Sequence, residues 1–118
     1  MRIWMPVTDQ TIAGLVQSGS IEVGPAFAVT PAWAAAIGET EEEVLEDIRA
    51  QSLTGQVVVV AEVQASVVDA KTGEVSVAGP ISTRQISAFL AKSEPTDEDF
   101  SWFGPTEGLN LLDFVGKG

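Results

Sequence analysis

The run Val57-Val58-Val59-Val60-Ala61 constrains the fold more than any other stretch of the chain. Branching at Cβ stiffens valine in a helix and suits it to a pleated strand. No polar residue alternates within the run, so both faces of this strand need covering, which puts it at the centre of a sheet. From Glu62 the pattern turns to alternation, Val63, Ala65 and Val67 against Glu62, Gln64 and Ser66. That period of two reads as the same strand running out to a wet edge. Asp69–Glu74, with Gly73, is a turn, and Val75–Ala78 pairs back as a hairpin.

The rest of the chain supplies partners for that strand. Arg2–Pro6 reads as a first strand, with Ile3 and Met5 on one side and Trp4 on the other. Thr8 caps a helix from Asp9 to about Gln17, whose Ile12, Leu15 and Val16 share a face and which Gly19 stops. Ala26–Val29 is a short strand candidate. Thr30-Pro31 starts a second helix, ended by Gly38. Thr40 and Glu43 form a capping box for a third helix, with Val44, Leu45 and Ile48 inward. Pro80 to Arg84 is a connection. Ile86–Lys92 fits helical spacing through Ile86, Phe89 and Leu90, and strand spacing through Ile86, Ala88 and Leu90; strand is preferred. Gly104-Pro105 then separates an aromatic stretch, Phe100–Phe103, from an apolar segment running from Leu109 to Val115. The expected architecture is α+β: one domain over residues 1–118, with a mixed sheet of about four to six strands and two or three helices packed on it.

Chemistry is bounded by what is missing. The chain has no histidine and no cysteine, which removes the usual general base at neutral pH, the thiol nucleophile and most transition-metal sites. Against 17 carboxylates stand 6 basic residues, for a net charge of −11. Arg2, Arg49, Lys71, Arg84, Lys92 and Lys117 are scattered singly, so no basic patch exists to displace counterions from nucleic acid or to hold an anionic membrane. Hydrophobic residues at 45% still provide a core, which speaks against global disorder. No apolar run approaches the ~20 residues of a membrane span, and the opening residues lack a signal-peptide pattern. A cytoplasmic protein without a cofactor, metal site or catalytic residues is expected.

Two acidic stretches stand out. Glu41, Glu42, Glu43, Glu46 and Asp47 crowd one helix, a surface for a basic partner or simply a solvated face with its charges well placed on the helix dipole. Asp97, Glu98 and Asp99 precede Phe100, Trp102 and Phe103, the makings of an acidic rim around an aromatic anchor or of a loop beside core aromatics. Glu62, just past the buried valines, is the best single candidate for a desolvated carboxylate, although an outward position on a half-exposed strand is the preferred reading. Trp4, Trp33 and Trp102 are candidates for a ligand pocket, although core packing is the preferred reading of such large aromatics.

Four stretches in order carry a resemblance. They are Arg2-Ile3-Trp4-Met5-Pro6; Ala26-Phe27-Ala28-Val29-Thr30-Pro31-Ala32; Val57-Val58-Val59-Val60-Ala61-Glu62-Val63; and Trp102-Phe103 followed by Thr106-Glu107-Gly108-Leu109 and Leu111-Leu112. Together they resemble an uncharacterised family of small actinobacterial proteins, a domain of unknown function. The chain departs from that family's pattern in being short between Leu53 and Val57, in having Phe103 for a usual tyrosine, and in having Ala91-Lys92 where a histidine-valine pair tends to sit. The last departure argues against essential histidine chemistry there. The resemblance implies an α+β fold and a cytoplasmic location, and supplies no activity.

The expected function is therefore a non-enzymatic acidic interaction module docking on the basic surface of a partner protein, for example one whose nucleic-acid site it occupies. The alternative is a small-molecule binder or carboxylate-only enzyme with a tryptophan-lined pocket. A homo-oligomer through an edge strand, Val63–Val68 or Val75–Ala78, is a further possibility.

Overall fold

The computed structural model describes residues 1–53 and 55–116, and Lys117 lies outside them. Among the described residues the elements run β1 (Arg2–Val7), α1 (Asp9–Ser18), β2 (Ser20–Ile21), β3 (Ala26–Phe27), α2 (Pro31–Ile37), α3 (Glu42–Gln51), β4 (Val57–Glu62), β5 (Ala65–Asp69), β6 (Glu74–Val77), β7 (Ile81–Ser82), a 3-10 turn at Thr83–Gln85, β8 (Ile86–Ala91), β9 (Ser101–Phe103) and α4 (Gly108–Gly116).

The valine run does take the centre. β4 lies between β1 and β8, and Val57 to Ala61 are all buried. The full sheet has the order β5-β6-β3-β1-β4-β8-β9, and β2 pairs with β7 in a separate small ribbon. The architecture is α+β, with seven strands in the main sheet rather than four to six, and with every pairing antiparallel rather than mixed. The strands beyond the expected set are β5, separate from β4, and β9, which at three residues is too short to show a period of two in the sequence. The strand expected to run from the core to a wet edge is instead two strands, with β4 central and β5 at the far edge. The chain turns across the start of β1 at Val63 and Gln64, where the Val63 N–H donates to the Met1 carbonyl and the Met1 nitrogen to the Val63 carbonyl, each at 2.9 Å. β6 is an interior strand, so Val75–Ala78 offers no free edge.

The helix boundaries follow their caps. Thr8 accepts from the Thr11 N–H and opens α1; Gly19, at φ 82°, closes it. Thr30 accepts from the Trp33 N–H, Pro31 fills the first turn of α2, and Gly38 ends it. α3 departs from expectation. It begins at Glu42 after an N-cap Glu41 without a side-chain cap, so the Thr40–Glu43 capping box is not formed. The Glu39 carboxylate accepts from the N–H groups of Thr40 and Glu41 instead, and those bonds, Glu41 first, hold it below its ordinary value. The apolar segment after Gly104-Pro105 is a fourth helix, α4, and Ile86–Ala91 is a strand.

Each face of the sheet has its own core. On one, Ile3, Met5, Val57, Val59 and Phe89 pack with Ile12 and Leu15 of α1 and Leu111 of α4. On the other, Trp4, Val58, Val60 and Ala88 pack with Ala50 of α3. The second core is smaller, and that difference creates the candidate site.

Candidate functional site: an acidic, aromatic trough

The floor of the trough is set by side-chain size. Val60 and Ala88 are opposite one another on β4 and β8, with Leu90 beyond them, and α3 approaches this face through Ala50. Small residues under a helix that covers only part of the sheet leave an unfilled recess of about 580 Å³. Glu46, Asp47, Ala50 and Gln51 of α3 form one wall; Asp99, Phe100 and Trp102 form the other, and Arg2 and Trp4 line it as well. Trp102 is 65% exposed, against 3% for Trp4.

The charges are only partly internal to the chain. The Arg2 guanidinium donates through Nε to Glu62 Oε1 at 2.7 Å and through Nη1 to Glu46 Oε2 at 3.1 Å, clamping β1 and β4 to α3. The bond to Glu62, ahead of those to Glu46, raises the guanidinium above its ordinary value. Opposite, Lys92 Nζ sits 4.7 Å from the centroid of the Phe100 ring. The aromatic wall thus already accepts a cation from its own chain.

The sequence candidates separate accordingly. Glu46, Asp47 and Asp99 meet at the trough, although the last two are 52 positions apart in the sequence. Glu41 and Glu43 lie outside its lining, and Glu42 borders a smaller recess beside Thr30 and Pro31. Asp97 turns back on its own loop, accepting from Ser93 Oγ at 2.6 Å and the Glu94 N–H at 3.2 Å; the Ser93 bond leads in holding it below the ordinary carboxylate range. Glu98 is exposed and outside the lining. Glu62 is an exposed partner of Arg2, not a desolvated carboxyl. Trp4 and Trp102 share the trough; Trp33 does not. Among the described residues no group of three acidic side chains gathers as metal ligands.

Trp33 belongs to a feature the sequence reading missed. Arg49, 4% exposed, lies with its guanidinium 4.1 Å from the Trp33 ring centroid and 5.2 Å from that of Phe27. It donates to the carbonyls of Ala28 and Thr72 and to Ser52 Oγ, while Nε has no partner. Burial lowers its affinity for the proton, yet an arginine stays charged under such conditions. Its signal was present: Arg49 stands four residues after Leu45 on the inward stripe of α3.

Residues 1–102 match a family of unknown function, DUF6912. The chain belongs to that family. The DUF6912 match takes in every residue that lines the trough, ending on Trp102, and stops short of α4. No curated protein and no solved structure matches the chain. No helix among the described residues is long and apolar enough to cross a membrane.

Proposed function

We propose that this protein is a non-enzymatic, cytoplasmic interaction module whose trough docks on a basic surface of a partner protein. The observation that carries the reading is convergence. Glu46 and Asp47 from α3 and Asp99 from the far wall rim one recess that also presents the exposed Trp102. Charge of this kind steers and orients a partner, while an aromatic anchor supplies affinity. A nucleic-acid-binding protein is one class with a matching basic surface, and an actinobacterial origin goes with this reading through the resemblance already described.

The recess volume, within the ~300–1,000 Å³ of small-molecule pockets, favours a second reading: a ligand between Trp4 and Trp102. Capture from native lysate by immobilised wild type and by the Asp47→Lys/Asp99→Lys variant separates the two. A basic protein held at low salt, released at high salt and missed by the folded variant supports docking. Capture indifferent to both changes, together with a metabolite that raises the melting temperature, supports the pocket.

A further inference from the structure

We infer that the partner segment enters as an extended strand antiparallel to β9 on its free edge, with an arginine opposite Trp102. This rests on the docking reading above and adds how the partner is held. β9 ends the sheet and pairs only with β8 among the described residues. Which of its main-chain groups remain free follows from the ladder. The Lys92 N–H donates to the Gln56 carbonyl, so Lys92 faces β4. Main-chain groups alternate sides along an antiparallel strand, so those of Ala91 face β9, where Ala91 is opposite Ser101. Ser101 and Phe103 are then spent on β8, and the N–H and C=O of Trp102 point off the sheet.

The same edge is closed further on. The Gly104 N–H donates to Glu107 Oε1 at 2.7 Å, and Pro105 has no N–H to offer. Among the described residues of this edge, one short stretch of backbone is left open, and it centres on the most exposed of the three tryptophans. A residue paired with Trp102 places its side chain on the same face as the indole. Arginine fits that position: its stem lies along the ring, its plane stacks on an aromatic face, and Asp99 and Asp47 supply carboxylate acceptors. The net charge of −11 excludes an acidic segment as the favoured occupant. Recognition of this type takes affinity from main-chain hydrogen bonds and specificity from alternate side chains.

The test is fluorescence anisotropy with a labelled seven-residue peptide alternating arginine and threonine, beginning and ending on arginine. Two derivatives carry N-methyl groups on all arginines or on all threonines. The arginine opposite Trp102 uses its own N–H, so methylating the arginines should weaken binding at least about tenfold, and methylating the threonines by no more than about twofold. Binding of the unmodified peptide should be lost with Trp102→Ala and with Asp47→Lys/Asp99→Lys. Equal binding of both methylated peptides would overturn the strand addition and leave the docking reading standing. No binding of the unmodified peptide, or equal binding to the charge-reversed variant, would overturn both. Self-association of the protein alone that Trp102→Ala abolishes would overturn the inference by giving the edge to a second copy.

Discussion

Arg49 shows how one residue can fix an element it does not belong to. Its guanidinium ties α3 to the Ala28 carbonyl beside α2 and to the Thr72 carbonyl in the β5–β6 turn, between two aromatic rings. Removing it leaves buried carbonyls without their donor, so Arg49→Ala should lower stability by about 2–4 kcal/mol in urea unfolding. Arg49→Lys should recover little, because an ammonium cannot reproduce the planar, multiply donating contact. A loss below ~0.5 kcal/mol would contradict this role. Gly73 completes the arrangement. It sits at φ 81°, and a Cβ there would meet the Ala28 carbonyl and lie 2.6 Å from Arg49 Nη1. Gly73→Ala should therefore destabilise by more than about 1 kcal/mol through both strain and displacement of the arginine. Asp97 offers a pH reading at the same scale. Its folded pKa lies below the unfolded one, so the charged form favours the Ser93–Asp97 loop above the unfolded value, and that support fades as pH falls through the folded value. Carbon-detected NMR should find Asp97 titrating below the ordinary aspartate range and moving upward in Ser93→Ala.

Elements were legible where pattern and caps agreed. Thr8 with Gly19 and Thr30-Pro31 with Gly38 bracket α1 and α2 as expected, because each cap acts locally. β4 was legible because only a strand covered on both faces tolerates Val57-Val58-Val59-Val60. β9 was not, since Ser101–Phe103 is a strand only by pairing with β8. The trough was half legible. Its acids and tryptophans were singled out, but their grouping depends on Ala88 and Ala50 being small at facing positions, which no local pattern announces. α4 tests how far the fold extends past the family match. Its Leu111 is wholly buried in the larger core, and Phe114 meets the Phe103 ring at 5.3 Å. Leu111→Ala should cost about 2–4 kcal/mol in thermal or urea unfolding. A near-neutral effect would mean that α4 is not part of the core.

At the scale of the whole molecule, charge sets two opposite responses to salt. A net charge of −11 repels itself in the compact state, so added sodium chloride should raise the melting temperature by a few degrees. The same screening should weaken capture of a basic partner. A docking surface diffused over the acidic helix would share that salt dependence, so salt alone does not locate the contact. The most direct measurement is therefore an amide chemical-shift titration of the labelled protein with the arginine–threonine peptide. The expected shifts are confined to Glu46, Asp47, Ala88 and the Asp99–Trp102 stretch. Shifts centred on Glu41–Glu43, or the absence of any, would contradict the trough as the docking site.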